Sequence, residues 1–294
     1  MTFDGLGRIG RWCRIAVRGA GATAGRVPAV TSDRSALESL GRSFAKRCLS
    51  MLPVRGRRRL RRWLRGPVRF GSFRRLTPLN PSYGFIRGLP LDRYYIEGFL
   101  SRFGPQPGYA AGAIQGRVLE IGGREYVDRY GLRADAPAAG RVHQVDVLHA
   151  SLANPEATLV GDLTDADSLP PAAFDCIICT QTLHVIFDTR AALRTLHGAL
   201  KPGGTLLLTV PGISRSSVPE RDVWGDWWRF TSSSVRRLLE AEFAADQVYV
   251  EAYGNVLTAA GFLYGLAAED LRPAELDSRD RDFEVVVTAR AIKR

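Results

Sequence analysis

The sequence predicts an α/β fold, a parallel sheet with helices on both faces, preceded by a basic extension. Three observations carry this. Residues 117–131, RVLEIGGREYVDRYG, read as a buried strand (Val118 to Ile121), a Gly122-Gly123 turn and a helix start, the opening unit of a nucleotide-binding sheet. Further short apolar runs follow, separated by helical or turn-rich stretches, and such alternation builds parallel sheets. Charge then divides the chain. Residues 1–90 hold 20 Lys and Arg against 3 Asp and Glu, a net +17, and residues 91–294 hold 21 against 27, a net −6. The expected organisation is an extension over 1–80 and an α/β domain over 81–294.

The net charge of +11 therefore belongs to the extension and says little about what the domain binds. The acidic domain speaks against nucleic acid. No apolar run approaches the ~20 residues of a membrane span. Only three of the 41 basic residues are lysine (Lys46, Lys201, Lys293), which reads as coding bias in a GC-rich, bacterial genome. Cys176 and Cys179 have C-x-x-C spacing inside an apolar strand, where residues three apart point to opposite faces. They are expected to be buried structural cysteines. With Cys13 and Cys48 they form no disulfide framework, so a reducing, cytoplasmic location is expected. The histidines His143, His149, His184 and His197 form no metal-ligand pattern, and no metal is expected.

The first 31 residues are rich in Gly, Ala and Arg with little periodicity, as in disordered segments. They lack an apolar core followed by a small-residue cleavage site, so no signal peptide is expected. Residues 33–52 suit a helix with Leu37, Leu40, Phe44 and Cys48 on one side. RGRRRLRRWLRG at 55–66 sets Leu60, Trp63 and Leu64 on one stripe among seven arginines. A basic amphipathic helix with Trp suits the anionic inner face of a membrane or an acidic protein partner. An inert solvated arm and a nucleic-acid contact are the other readings. Pro67, Pro78 and Pro81 mark a linker.

The domain opens with a helix from about Asp92, bearing Tyr94, Tyr95, Ile96, Phe99 and Leu100, and a Gly/Pro loop over 104–116. After the 118–121 strand, strands are predicted at 142–149, 157–165, 174–186 and 205–212. A helix at 188–200 turns Ala192, Leu193, Leu196 and Leu200 inward, and Lys201-Pro202-Gly203-Gly204 stops it. Ligands of such sheets sit beyond the C-terminal strand ends, where Glu120, Gly122, Asp146, Asp162, Thr180 and Gln181 fall. Asp146, near the end of the second strand, suits the two hydroxyls of a ribose.

Together VLEIGG, VDVLH, GDLTD, FDCIICTQTLHVI and LKPGGTLLLTVPG resemble the class I S-adenosylmethionine-dependent methyltransferases, in the branch often called type 11. RGLPLDRYYIE, WGDWWRFT, EAYGN and the Leu266–Leu271 run resemble a narrower bacterial set, often linked to sugar transferases. The resemblance covers about 83–294. It implies a Rossmann-like, seven-stranded, mostly parallel sheet with an antiparallel last strand, the sixth strand at 247–251 and the seventh at 283–290. It implies S-adenosyl-L-methionine as cofactor. Glu120, Gly122 and Gly123 would line its methionine end, Asp146 would hold the ribose, Asp162 and Leu163 would lie beside the adenine, and Thr180 and Gln181 would floor the sulfonium. The sequence departs from the usual E-x-G-x-G-x-G loop, with Arg124, Glu125 and Tyr126 after Gly123.

Methyl transfer to a hydroxyl needs a base beside the donor, and His184 and Asp226 are the candidates. The segment 211–231 often covers the acceptor in this fold. Its Arg215, Trp224, Trp227, Trp228 and Arg229 suit a sugar or another flat polar acceptor, by aromatic contact and orienting hydrogen bonds; the tryptophans could equally pack the next helix, capped by Thr231 or Ser232. The expected activity is methylation of a small-molecule or saccharide acceptor in cell-surface glycan synthesis. The alternative is a catalytically inactive, methyltransferase-like binding or scaffold protein.

Overall fold

A computed structural model describes residues 53, 71–104, 112–131, 141–151 and 153–294. The chain divides into two compact units, Met1–Gly71 and Ser72–Arg294. The helices expected at 33–52 and 55–66, and with them the membrane or partner role of the basic arm, lie outside the described residues. The 80/81 boundary falls inside the second unit, where Leu79 and Asn80 donate their N–H groups to the Tyr264 carbonyl at 2.8 and 3.2 Å.

Seven strands form one sheet: β1 (Gly116–Ile121), β2 (Val142–His149), β3 (Leu159–Val160), β4 (Phe174–Thr180), β5 (Leu200–Pro211), β6 (Val248–Tyr253) and β7 (Val286–Ile292). Their order is β3-β2-β1-β4-β5-β7-β6. β7 runs antiparallel to both neighbours, and the remaining pairs are parallel. Among the described residues seven helices accompany it: α1 (Leu91–Leu100), α2 (Glu125–Tyr130), α3 (Thr189–Ala199), α4 (Val218–Val223), α5 (Ser232–Leu239), α6 (Val256–Tyr264) and α7 (Pro273–Asp277).

The pleat sorts the core into two clusters. One gathers Leu119, Ile177, Cys179 and Leu208 with Leu193 and Leu196 of α3 and Leu239 of α5. The other gathers Val118, Cys176, Ile178 and Leu207 with Ile96 and Phe99 of α1 and Phe262 of α6. Cys176 and Cys179 thus face opposite layers, both fully buried, and burial pushes both thiols up. Each fully buried aliphatic side chain contributes about 1.5–3 kcal/mol.

Several boundaries differ from expectation. The third strand shrinks to two residues. The fourth stops at Thr180, and Leu183–Val185 form a 3₁₀ turn. The fifth begins at Leu200, because Gly203 donates to the Lys293 carbonyl at 2.7 Å and Lys293 returns a bond to Gly204 at 2.9 Å. Pairing with the end of β7, rather than a left-handed glycine cap, therefore ends α3; Leu200 is already extended. Thr231 caps α5 as anticipated, in a reciprocal box with Ser234.

RGLP and LAAEDL, far apart in sequence, meet in space. Arg87 grips Asp270 (Nε to Oδ2, 2.8 Å), Leu89 N–H donates to Glu269, and Pro90 bridges Ala267. Gly88, at φ +153°, presses so close to Glu269 that a Cβ would stand 2.1 Å from its carboxylate.

Candidate active site

The parallel strands leave their C-terminal ends on one edge, and two cavities open there. The larger, about 900 Å³, is bounded by Ile121 and Gly122 after β1, Leu148 and His149 at the end of β2, Gly161–Thr164 after β3, and Gln181 after β4. The smaller, about 210 Å³, lies between β4, β5 and the start of α1. Thr180 and His184 line the smaller one, and Gln181 lines both.

Gly122 makes the turn that floors the larger cleft. Its φ is +95°, its N–H donates to the Leu148 carbonyl at 2.9 Å, and a Cβ would meet only open space. Backbone conformation, not crowding, demands glycine there. Gly123 is not among the residues around the cleft.

Glu120 holds the turn from below. Its side chain accepts the Tyr126 and Val127 N–H groups at 3.1 and 2.8 Å, tying down the first turn of α2. It is 3% exposed, and burial outweighs those two bonds, pushing its carboxyl up to about 7. It lines neither cavity and ties the glycine turn to α2. The bulky residues after Gly123 also stay out of the cleft. Arg124 pairs with Asp128 at 2.8 Å, and Tyr126 packs into the core. The loop's departure from the usual glycine pattern thus leaves the cavity open.

Asp146 lines neither cavity. It sits three residues before the end of β2, in register with Leu119. Its carboxylate is occupied by Arg117 Nε at 2.7 Å, Gln144 Nε2 at 3.0 Å and Thr158 Oγ1 at 3.2 Å. The residue at the strand end that reaches the cleft is His149. Its Nδ1 is held by the Ser151 backbone and its ring meets Trp224 edge-on at 5.8 Å. Its place near the end of the second strand draws attention to the acid, and nothing in the sequence signals Arg117 as its partner.

Asp162 and Leu163 fall on the cleft as expected. Asp162 Oδ1 accepts the Thr164 N–H at 2.8 Å, which shapes the turn after β3. Gln181, at the other wall, adopts φ +46° and is anchored by its N–H to the Thr209 carbonyl at 2.9 Å. A non-glycine residue held left-handed costs about 1–2 kcal/mol, and such residues concentrate at functional sites.

His184 is 8% exposed, and its Nδ1 is buried with no hydrogen-bond partner. Burial, reinforced by the nearby Arg229 charge, holds it below the ordinary histidine range, so it is neutral near pH 7. Asp226, the other candidate base, is engaged by neighbours. It receives two Arg229 bonds, at 2.5 and 3.0 Å, and the Ser217 N–H at 3.2 Å. The Arg229 bonds hold its carboxyl below the usual range, and its side chain is 1% exposed outside both cavities. Its carboxylate holds the Arg229 guanidinium in place.

Arg215 and Arg229 line the smaller cavity with Arg93 and Glu220, opposite Tyr83 and Phe85. The Arg215 guanidinium lies 3.8 Å above the Tyr83 ring and donates to the Pro81 carbonyl. The tryptophans are elsewhere. Trp224 and Trp227 wall the larger cleft, and Trp228, bonded through Nε1 to the Ile186 and Phe187 carbonyls, lines neither cavity. Sequence reasoning missed Arg93 and Glu220; their charges carry no signal apart from ordinary helix-surface residues. Among the described residues no group of three or more His, Cys, Asp or Glu could hold a metal ion.

Residues 91–247, more than half of the chain, match the model of a methyltransferase domain family. The chain belongs to that family. Over 98 residues it is 33% identical to the polyketide synthase ThaG of Burkholderia thailandensis, and over 102 residues 28% identical to a probable polyketide synthase of Dictyostelium discoideum. These alignments take in about a third of this chain (31% and 34%) but only 2% and 4% of those proteins. Among solved structures, a methyltransferase from Archaeoglobus fulgidus aligns at 13% identity and a TM-score of 0.41, over 68% of this chain and 92% of that one. The cofactor of the family is S-adenosyl-L-methionine. The residues present fit it: the cleft is of ligand-pocket size, its floor is a left-handed glycine with open space above, and Asp162 supplies carboxylate oxygen at its wall.

Proposed function

We propose that the protein transfers a methyl group from S-adenosyl-L-methionine to a hydroxyl of a small polar acceptor, a saccharide of cell-surface glycans, seated in the smaller cavity. One observation carries this reading. The two cavities meet at Gln181, and the smaller one is lined by His184, whose buried Nδ1 has no hydrogen-bond partner in the protein. A buried polar atom without a partner is costly, and an acceptor hydroxyl would complete it.

The cofactor supplies an electrophilic methyl group when bound. Gly122, Asp162, Leu163 and Gln181 would hold it, with His149 at the position first assigned to Asp146. His184, kept neutral by burial, would take the acceptor's hydroxyl proton on Nδ1. Asp226 would hold Arg229, which together with Arg93, Arg215 and Glu220 would orient the acceptor over the faces of Tyr83 and Phe85. A cavity of about 210 Å³ is small beside the roughly 300–1,000 Å³ usual for ligand pockets, and it suits one ring or a short polar group.

The test is incubation with S-adenosyl-L-methionine and a panel of saccharides, following formation of S-adenosylhomocysteine. Turnover that His184→Asn reduces at least about a hundredfold, with calorimetric binding of S-adenosylhomocysteine unchanged, supports the reading. Tight cofactor binding with no turnover on any acceptor would favour a non-catalytic binding or scaffold protein instead.

A further inference from the structure

A further cavity, of about 620 Å³, is lined by none of the residues that line the two at the strand ends. Helix α1 contributes to both regions. Asp92 and Arg93 line the smaller cavity described above, whereas Tyr94, Glu97, Gly98 and Ser101, spaced three and four apart, form one stripe of the helix on the further cavity. Tyr130 at the end of α2, Tyr253 at the end of β6 and Asp277 at the end of α7 add to its walls. Gly98 is the telling residue. It stands inside α1, where glycine weakens a helix relative to alanine. Its backbone is not left-handed, and a Cβ there would meet nothing within 4 Å. Neither backbone conformation nor crowding calls for glycine; what the missing side chain leaves is open space in the cavity.

We propose that this cavity is a second ligand site and that it takes a neutral saccharide. Its walls carry groups of both signs. Arg102 and Arg279 line it and both bond Glu251, at 2.6 and 3.1 Å. Glu97 pairs with Arg129 at 2.7 Å, and Asp277 Oδ1 accepts the Tyr94 hydroxyl at 2.8 Å. An anion would face Asp277 and Glu97, and a cation would face Arg102 and Arg279, so a charged ligand loses on one wall what it gains on the other. A flat aromatic ligand needs free ring faces. The Tyr253 ring is already engaged by Tyr95 at 5.5 Å and by the Arg279 guanidinium at 4.1 Å, and the Tyr130 ring by Tyr126 at 6.4 Å. A saccharide satisfies both conditions. Its C–H patches pack on tyrosine, and its hydroxyls donate to the Asp277 carboxylate and accept from the guanidiniums. The volume lies within the roughly 300–1,000 Å³ of ligand pockets. Nothing in this site depends on the smaller cavity being the acceptor site.

The test is NMR of the full chain labelled on its tyrosine rings, titrated with the methyl glycosides of glucose, galactose, mannose and N-acetylglucosamine to about 20 mM, enough to fill a millimolar site. Signals are assigned by Tyr83→Phe, Tyr94→Phe and Tyr130→Phe. Tyr94 and Tyr130 report the further cavity and Tyr83 the smaller one. Saturable shifts at Tyr94 and Tyr130 are expected with at least one glycoside. Gly98→Leu, which projects a side chain into the cavity, should abolish them while melting no lower than wild type, and Asp277→Ala should weaken binding about tenfold. No shift at Tyr94 and Tyr130 with any of the four overturns the site, as do shifts there that Gly98→Leu leaves unaltered. Shifts confined to Tyr83 would place the saccharide in the smaller cavity alone, which overturns the second site and leaves the acceptor reading standing. Shifts at Tyr94 and Tyr130 without methylation of any saccharide would support the second site and count against the acceptor reading.

Discussion

Glu120 ties the stability of the glycine turn to pH. The carboxyl sits beneath Gly122, accepts two backbone N–H groups, and is pushed by burial from 4.5 to about 7. Its proton is held more tightly in the folded state than in the unfolded chain. Its contribution is therefore fully present below about pH 4.5 and is lost as pH rises through about 7. The displacement corresponds to about 3 kcal/mol. Glu120→Gln removes the titration. The amide oxygen keeps one acceptor, but the amide NH₂ then faces a backbone donor, costing about 1–3 kcal/mol at every pH. Urea unfolding followed by far-UV circular dichroism, from about pH 5 to pH 8, compares the two proteins. The wild type should lose about 2–3 kcal/mol relative to the variant across that range. His184 and His197, both lowered by burial, act in the opposite sense below about pH 6.5; they are common to both proteins and cancel in the difference. A difference that stays flat, or that moves in favour of the wild type as pH rises, refutes the reasoning.

Three further outcomes are expected. Asp146→Ala strands the Arg117 guanidinium and should cost about 2–4 kcal/mol in urea unfolding, with S-adenosylhomocysteine affinity in calorimetry altered less than about threefold; a large loss of affinity at unchanged stability would return this carboxylate to the ligand. Gln181→Val places a β-branched residue at φ +46° and should lower thermal stability by about 1–2 kcal/mol, whereas Gln181→Gly should unfold no earlier than wild type; equal effects of the two would remove backbone strain from the account. The acid limb of the turnover profile should fall below about pH 6.5, since a lowered histidine remains a base further into acid; a limb above the ordinary histidine value would exclude His184 as the proton acceptor.

Much of the sheet is readable along the chain, because its strands are short apolar runs and burial on both faces leaves that mark. β2 falls on the expected residues. The run Cys176-Ile177-Ile178-Cys179 sends its two thiols to opposite layers, as the pleat requires. Gly122, Asp162, Leu163 and Gln181 reach the cleft because parallel strands deliver their C-terminal ends to one edge. Two acids of the site region are engaged by partners that the local sequence does not show. Asp146 and His149 are three residues apart on one strand, and which of them meets the cleft depends on where β2 ends against β1. Asp226 has the residue type of a base, and only the fold shows that Arg229 and the Ser217 N–H hold its carboxylate. The KPGG segment read as a helix stop, and its pairing with Lys293, some ninety residues away, was not visible locally.

Local order along the chain is enough for the parallel α/β architecture, the opposed faces of each strand and the edge on which a ligand sits, since periodicity and glycine chemistry act over a few residues. Which carboxylates are free, which imidazole is buried without a partner, and where the tryptophans turn depend on contacts between distant segments. Arg117 with Asp146, Arg229 with Asp226, and Glu120 with the α2 backbone each neutralise or reposition a group whose sequence context suggested chemistry. A side chain's charge and reach are written in its type, but its availability is set by what packs against it, and that was decided only when the sheet brought those segments together.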